Sequence, residues 1–257
     1  MEINNISFSY SGKIKTLHDV TGSIELGKVT TIIGPNGSGK STLLDVMSNH
    51  AVPDAGRVLL DGKTLTDFRP KELARRLAIV HQHNSAPADL TVEKLVSYGR
   101  IPHRQMFAQQ SEQDAEAVEQ ALARTNLLGK RKASIAALSG GEKQRVWIAV
   151  ALAQSTPYLF LDEPTTYLDI YYQYEVLELV KSLNEQHGMT IVMVLHDMNQ
   201  SIRYSDCIIA MKNGRILAMG APQDVITAET VKSLYGVEVI IKNDADAGMY
   251  MVPIGLS

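Results

Sequence analysis

The sequence predicts an α/β protein whose core is built around a phosphate loop, with an N-terminal antiparallel β-layer and a helical insertion. The first observation is the glycine-rich run Gly34–Thr42, which directly follows an apolar strand candidate at Val29–Ile33. The second is a set of later apolar runs that end in polar residues, as parallel strands do at a ligand site. The third is the stretch from about 86 to 155, where helical spacing replaces strand patterns.

These three observations predict one domain built from discontinuous parts. A length of 257 residues and a hydrophobic content of 45% suit one large domain or two modest ones, with a sizeable core. We expect residues 1–85 and 156–257 to form the core and the β-layer. We expect residues from about 86 to 155 to form a helical subdomain.

The glycine-rich run matches the phosphate-loop pattern G-x-x-x-x-G-K-[ST] without a mismatch. Its glycines let successive backbone N–H groups turn toward one anion, and the following helix adds its N-terminal dipole. Lys40 can then reach the β- and γ-phosphates, while the Ser41 hydroxyl can coordinate Mg²⁺. The motif therefore predicts a phosphate-loop NTPase core, with nucleotide contacts from Gly34, Pro35, Asn36, Gly37, Ser38, Gly39, Lys40, Ser41 and Thr42.

Composition and charge exclude several other classes of protein. A net charge of −3 argues against a general nucleic-acid-binding protein, which needs clustered Lys and Arg. The single cysteine, Cys207, excludes an internal disulfide framework and is expected to be a small buried residue. No apolar run approaches the roughly 20 residues of a membrane helix, and the acidic start is unlike a signal peptide. We expect the chain itself to be soluble and cytoplasmic.

The two ends of the chain predict additional strands. Alternating apolar residues from Ile3 to Tyr10 predict the antiparallel layer. Tyr10, at the end of that strand, can stack on a nucleotide base or serve as an ordinary half-buried strand tyrosine, and its position alone favours the second interpretation. Near the other end, the apolar run Met249–Val252 predicts a terminal strand stopped by Pro253.

Gln82 follows a buried strand candidate at Leu77–Val80. Polar side chains at the carboxyl end of a strand are placed where open α/β sheets bind ligands. Gln82 can therefore hold a metal-bound water or respond to the γ-phosphate, or it can be a plain polar exit from the strand. The flanking His81 and His83 are weak evidence for a metal site.

The helical insertion contains an amphipathic helix and a second glycine-rich stretch. Ala115, Val118 and Leu122 follow helical spacing within 112–124 and predict the buried face of a helix. Ser139 and Glu142 are spaced as a capping box, which explains both residues structurally. Capping does not explain the intervening Gly140 and Gly141, because glycine weakens the first turn of a helix. Exposed N–H groups at a helix start suit a phosphate, so this stretch is a second candidate anion site.

Two further strand candidates end in chemically useful side chains. Tyr158–Leu161 leads into Asp162 and Glu163, a pair more specific than either acid alone. Asp162 is suited to Mg²⁺ and Glu163 to polarising an attacking water. Thr190–Leu195 leads into His196, which can hydrogen-bond a γ-phosphate, although an isolated histidine there is more often structural.

With these residues in place, the chain resembles the ATP-binding subunits of ABC transporters over nearly its whole length. The resemblance rests on the following matches in the family's order: the aromatic base-stacking position at Tyr10, the phosphate loop, the Q-loop at Gln82, the signature Leu138-Ser139-Gly140-Gly141-Glu142, Walker B and its adjoining glutamate at Asp162-Glu163, the D-loop Tyr167-Leu168-Asp169 and the H-switch His196. It implies the ABC ATPase fold and functional roles for Tyr10, Gln82 and His196.

Softer motifs resemble the branch that serves bacterial importers of iron–siderophores, haem and cobalamin. They are Thr165–Ile170, His196–Gln200, Arg203–Asp206, Tyr98–His103 and Tyr235–Val237. Met198 stands where leucine is common, and Lys143 follows Glu142 where arginine is frequent. Neither departure affects the inferred chemistry.

The resemblance implies a mechanism and a set of partners. A head-to-tail homodimer would hold ATP and Mg²⁺ between the phosphate loop of one copy and Ser139–Gly141 of the other. Glu163 would orient water, with Lys40 and His196 stabilising charge, while Ser41, Gln82 and Asp162 would serve the metal. The partners would be integral membrane permease subunits at the cytoplasmic face of the membrane and, indirectly, a substrate-binding protein. The alternative is a soluble ABC-type ATPase of an assembly scaffold such as iron–sulfur cluster biogenesis.

Overall fold

The computed structural model describes residues 1–10, 15–104 and 111–256. Its strands are β1 (Glu2–Ser9), β2 (Lys15–Ser23), β3 (Val29–Ile33), β4 (Ala55–Leu60), β5 (Lys63–Thr64), β6 (Leu77–Val80), β7 (Tyr158–Leu161), β8 (Thr190–Val194), β9 (Cys207–Lys212), β10 (Arg215–Gly220), β11 (Val237–Asp244) and β12 (Gly248–Leu256). Its helices are α1 (Lys40–Met47), α2 (Pro70–Leu73), α3 (Val92–Ser97), α4 (Glu112–Arg124), α5 (Gly140–Ala153), α6 (Ile170–His187), α7 (Met198–Tyr204), α8 (Pro222–Val225) and α9 (Ala228–Tyr235).

The chain divides into two compact units. The first comprises Met1–Phe68 and Thr190–Ser257, and the second comprises Arg69–Met189. The predicted subdivision, with a helical part at about 86–155, stays a prediction. None of the helices in the described ranges has the length and apolar character needed to span a membrane.

The first unit contains the predicted N-terminal antiparallel layer. Its strands run in the order β2-β1-β4-β5, and every neighbouring pair is antiparallel. Beside it, β3 pairs in parallel with both β8 and β9, and β10 adds to β9 in antiparallel fashion. All five residues of β3 are buried, which explains its run of β-branched residues. The mixed α/β architecture confirms the predicted fold class.

The second unit combines one parallel strand pair with helices. β6 and β7 are parallel, with Leu77 opposite Tyr158 and Val80 opposite Leu161. Their register brings the ends of both strands, and the polar residues that follow them, to the same edge. Helix α4 has the predicted bounds of 112–124.

The buried face of α4 differs from the predicted one. Ala115 is exposed, and Asp114 is buried beside Val118 and Leu122. Arg100 Nε donates to Asp114 Oδ1 at 2.8 Å, and the same guanidinium donates to the carbonyl oxygen of Ala153 at 2.8 Å. Burial alone would raise the pKa of Asp114, but the hydrogen bonds from Arg100 and Ser111 outweigh it and lower that pKa. The buried face of α4 therefore contains the ion pair of Asp114 with Arg100, where the sequence predicted an apolar contact from Ala115.

The chain ends in a module of two short helices, α8 and α9, and the hairpin β11–β12, spanning residues 222–256. The predicted terminal strand is present, but its predicted end at Pro253 is wrong, because β12 continues to Leu256. The pairing of β12 with β11 shifts register between Val239–Pro253 and Glu238–Gly255. Proline lacks a backbone N–H and is tolerated in edge strands and at such irregularities.

Candidate nucleotide-binding site

The phosphate loop occupies the turn between β3 and α1, in the predicted strand-loop-helix setting. Gly34, Gly37 and Gly39 have φ values of 152°, 76° and 98°. A Cβ atom on Gly34 would lie 2.2 Å from the carbonyl oxygen of Met211, so a larger residue does not fit there. Sequence and backbone therefore agree that this loop requires glycine.

Local polar contacts fit the loop to a bound anion. Helix α1 begins after Gly39 and has no side-chain cap, and the start of an uncapped helix suits an anion. Lys40 is buried, and its Nζ donates to the carbonyl oxygens of Gly34 and Pro35 at 2.9 and 3.1 Å. Within the described ranges, the buried Ser38 hydroxyl has no hydrogen-bond partner. A buried cation and a hydroxyl without a partner on one small loop suit the phosphates of a nucleotide.

Tyr10 lies beside the start of α1. Its hydroxyl is 3.2 Å from Thr42 Oγ1, and its ring packs edge-to-face on Phe8 with a centroid distance of 4.9 Å. The side chain is 65% exposed, so its ring surface remains accessible. The structure thus places an accessible aromatic ring next to the phosphate loop, as base stacking requires.

His196 is brought to the same sheet edge as the phosphate loop. Strand β8 is parallel to β3, with Val194 opposite Ile32, and the N–H of Leu195 donates to the carbonyl oxygen of Ile32 at 3.3 Å. The carboxyl ends of both strands therefore meet, and His196 is exposed there. Asp197 caps α7 by accepting a hydrogen bond from the N–H of Gln200 at 2.7 Å.

Asp162 and Glu163 follow β7 in the second unit. The N–H of Asp162 donates to the carbonyl oxygen of Val80 at 2.9 Å, which continues the parallel pairing and leaves Asp162 buried. Glu163 has a φ of 51°, so the chain leaves the extended conformation there. In a strand, successive side chains point to opposite faces of the sheet, but this rule no longer applies to the Glu163 side chain.

Two polar side chains donate hydrogen bonds to the Glu163 carboxylate. Gln82 Nε2 donates to Glu163 Oε2 at 2.5 Å, and Thr166 Oγ1 donates to the same oxygen at 3.0 Å. The structure thus joins the predicted Gln82 and Glu163, but it places the Gln82 amide on the carboxylate. Thr166 lies in the Thr165–Ile170 motif, but the sequence did not predict its contact with Glu163, three residues earlier.

Ser41, Asp162 and Gln82 are the residues predicted to serve a Mg²⁺ ion. The described part of the chain contains no cluster of three or more His, Cys, Asp or Glu side chains that could hold an ion. Magnesium is commonly bound by one or two carboxylates together with substrate phosphates, so a site using Ser41 and Asp162 needs no such cluster. The role of Gln82 toward the metal stays a prediction.

The start of α5 carries the second glycine-rich stretch. Both bonds of the predicted capping box are present: the Glu142 N–H donates to Ser139 Oγ at 3.3 Å, and the Ser139 N–H donates to Glu142 Oε2 at 2.9 Å. A salt bridge from Lys130, followed by the Ser139 N–H, lowers the pKa of Glu142. Ser139 and Gly140 are exposed, as a candidate anion site requires.

Gly141 has a steric role that the sequence did not indicate. It is buried, and a Cβ atom there would lie 2.6 Å from the ring of Tyr172 on α6. At Gly140 the same atom would meet only Leu168 at an ordinary 3.7 Å. Of the two glycines, Gly140 is thus free to face a ligand, whereas Gly141 allows α6 to approach α5.

Each unit therefore gathers part of the predicted site. The first unit contains the phosphate loop, Tyr10 and His196. The second contains Gln82, Ser139–Gly141, Asp162 and Glu163.

Comparison with known proteins identifies the family to which this arrangement belongs. The family profile described as ABC transporter matches residues 17–166. The chain is 44% identical to the ferric enterobactin transport ATP-binding protein FepC of Escherichia coli (strain K12), over 95% of this chain and 90% of that protein. It is 43% identical to the petrobactin import ATP-binding protein FpuC of Bacillus anthracis, over 94% and 88%.

Solved structures agree with the sequence relatives. A protein described as a metal-chelate type ABC transporter, in an inward-facing conformation, is 26% identical and aligns over 100% of this chain and 97% of its own, with a TM-score of 0.86. The dimeric bacterial ABC transporter cassette MJ0796 is 30% identical and covers 86% of this chain and 98% of its own, with a TM-score of 0.75. From the family profile, the relatives and the site geometry together, the chain belongs to the ABC transporter family and is an ABC-type ATPase.

Proposed function

We propose that the chain lies at the cytoplasmic face of the membrane. There it hydrolyses ATP to drive uptake of an iron–siderophore, or a related metal chelate, through a membrane permease. The relatives FepC and FpuC are named for ferric enterobactin transport and petrobactin import. The iron(3+)-hydroxamate import protein FhuC of Bacillus subtilis (strain 168) is 42% identical over 95% of this chain. These relatives favour chelate import over the alternative of an assembly scaffold.

The observation that carries the ATPase chemistry is the Glu163 carboxylate, held by Gln82 and Thr166 directly after Asp162. A carboxylate fixed by two hydrogen bonds has a defined orientation, which is what the polarisation of an attacking water requires. We assign Glu163 to orient that water. We assign Lys40 and His196 to stabilise the negative charge of the transferred phosphoryl group.

Ser41 and Asp162 are the residues we assign to Mg²⁺, which when bound neutralises charge on the phosphates of ATP. Tyr10 would stack on the base, and the remaining phosphate-loop residues would hold the phosphates through their N–H groups. Gln82, whose amide contacts Glu163, would link the presence of the γ-phosphate to the orientation of the base. This role requires the Gln82 amide to exchange between the Glu163 carboxylate and the bound nucleotide.

We further propose that two copies assemble head to tail around ATP. The exposed Ser139 and Gly140 at the start of α5 form a second phosphate-binding surface, and one triphosphate does not require two such surfaces from one chain. The known dimeric cassette MJ0796 supports this arrangement. The remaining partners are permease subunits and, through them, a substrate-binding protein that delivers the chelate. We propose no nucleic-acid partner.

Glu163→Gln tests the ATPase assignment. The amide keeps the size of the side chain but loses the charge that polarises water, so ATP binding should persist while kcat falls by roughly 10²–10⁴. Steady-state phosphate release and nucleotide binding by fluorescence separate the two effects. Glu116→Gln, an exposed change on α4, is the matched control and should keep normal turnover. Near-normal turnover in Glu163→Gln would remove Glu163 from the role of base.

A further inference from the structure

The C-terminal module, residues 222–256, shares a hydrophobic core with two short segments of the site. Val225, Leu234 and Val239 of the module cluster with Ile33 and Met198. Ile33 immediately precedes the phosphate loop, and Met198 is the first residue of α7, two positions after His196. The module therefore packs behind both catalytic segments of the first unit.

A pair of hydrogen bonds joins the hairpin to α7. Asn199 Nδ2 donates to the carbonyl oxygen of Met251 at 3.2 Å, and the N–H of Met251 donates to Asn199 Oδ1 at 2.8 Å. One side-chain amide thus satisfies both backbone groups of a strand residue, in the way a neighbouring strand would. Because the amide has both a donor and an acceptor in fixed geometry, it determines the position of α7 against β12.

The second half of α7 and the hairpin line an open pocket of about 930 Å³. Ile202 and Arg203 of α7 and Ile241 and Met249 of the hairpin lie in its wall. The two hydrogen bonds of Asn199 lie near the start of the helix, three residues after His196. A substitution at Asn199 should therefore affect the first turn of α7, which directly follows His196 and Asp197.

A second contact reaches the phosphate loop itself. Tyr235, the last residue of α9, has a buried hydroxyl without a hydrogen bond of normal geometry in the described ranges. Burial raises the pKa of Tyr235 to about 12, and a hydrogen bond with the backbone of Gly34 acts in the opposite direction. Tyr235 also packs against the hydrophobic core that contains Ile33, the residue before the phosphate loop.

We propose that the C-terminal module is a positioning element of the ATPase site, with Asn199 as the positioning residue that holds α7, and with it His196, in place. The inference rests on the proposed role of His196 in stabilising the transferred phosphoryl group. Ground-state binding of ATP depends mainly on the phosphate loop. Loosening α7 should therefore lower kcat and leave the KM for ATP unchanged.

Asn199→Ala in the full-length chain tests this inference. Removing both bonds to Met251 should speed hydrogen exchange of the backbone amides in 197–204 by about tenfold and lower kcat by a similar factor. Asn199→Asp keeps the acceptor for the Met251 N–H but loses the donor, so its effects should be smaller. The control is Glu238→Ala, which breaks the surface ion pair with Lys232 inside the module and should change neither quantity.

A double-mutant cycle with His196→Ala identifies the route of the effect. If Asn199 acts through His196, Asn199→Ala should cause no further loss of kcat in a His196→Ala background. Independent, multiplying losses would overturn action through His196, and unchanged exchange of α7 in Asn199→Ala would overturn the positioning itself. Normal turnover in His196→Ala alone would instead refute the proposed role of His196. In that case the exchange measurement still decides whether the module holds α7, with faster exchange supporting it.

Discussion

At the scale of single residues, two hydrogen bonds converge on one oxygen of the Glu163 carboxylate. Glu163 Oε2 accepts hydrogen bonds from both Gln82 and Thr166. The orientation of the proposed base therefore depends on neighbours as well as on the glutamate itself.

Thr166 provides the direct test of this dependence. Thr166→Val preserves the shape of the side chain but removes the donor, and the loss of a hydrogen bond to a charged group should lower kcat about tenfold. Thr166→Ser keeps the hydroxyl and should retain most of the activity. Steady-state ATP hydrolysis at saturating ATP measures both variants. Equal turnover in the valine and serine variants would show that the hydroxyl does not position Glu163.

Sequence patterns identified Gln82 and Glu163 separately, but they did not predict that the two side chains meet. Their contact depends on the positive φ of Glu163, which turns the chain out of the strand. No residue type marks that turn, because glutamate rarely adopts it. The contact of Thr166 was missed for the same reason, since its approach to Glu163 follows from the turn.

At the scale of elements, the buried ion pair between Arg100 and Asp114 organises the second unit. Arg100 connects α4 to the end of α5 through Asp114 and the carbonyl oxygen of Ala153. The adjoining Gly99 is also constrained, because a Cβ atom there would lie 2.1 Å from the carbonyl oxygen of Val150. The Tyr98–His103 motif thus has a structural explanation within this unit.

Asp114→Asn should destabilise the protein. Removing one partner leaves the buried Arg100 guanidinium without its counter-charge, which typically costs about 3–5 kcal/mol in the free energy of unfolding. Urea denaturation followed by circular dichroism measures this change. Glu116→Gln, on the exposed face of the same helix, should change the free energy of unfolding by less than about 0.5 kcal/mol. A loss that small in Asp114→Asn would contradict a stabilising role for the pair.

The same pair has a defined pH signature. The pKa of Asp114 is lowered in the folded protein, below the ordinary value of 3.8. Its contribution to stability is therefore fully present above the unfolded pKa and is lost as the pH falls through the lower folded pKa. Between about pH 5 and pH 2, the wild type should lose more stability than Asp114→Asn. Parallel loss in both proteins would mean that Asp114 does not contribute to acid sensitivity.

Element boundaries followed from the sequence better than element faces did. The bounds of α4 and the strands around the phosphate loop reflect local patterns of apolar residues and capping. The burial of Asp114 does not, because its partner Arg100 lies on another element. Similarly, β12 passes Pro253 because the register with β11 shifts there, and that shift depends on the facing strand.

At the scale of the whole molecule, the proposed ATP site requires a second copy of the chain. The exposed signature residues Ser139 and Gly140 lie at the start of α5. The order of the motifs along the sequence predicted this family and its fold. The transported chelate and the permease could not be derived in the same way, because in the proposed system the residues that recognise the cargo would belong to the partner proteins.

Ser139→Arg tests the shared site. A long cationic side chain at the start of α5 should obstruct the approach of a second copy, while each chain still binds nucleotide through its own phosphate loop. Light scattering with ATP, in a Glu163→Gln background that preserves the nucleotide, measures dimer formation. We expect a dimer with Ser139 and a monomer with Ser139→Arg. An ATP-dependent dimer of the arginine variant would reject the shared-site model.

The measurement that tests the central claim most directly is uptake of a radiolabelled iron–siderophore into vesicles that contain the permease of the system, with this chain and ATP on the cytoplasmic side. We predict ATP-dependent accumulation with the wild-type chain. We predict none above background with Glu163→Gln, although that variant still binds ATP. Accumulation at the wild-type rate with Glu163→Gln, or ATP hydrolysis by the wild type without any chelate uptake, would contradict the account.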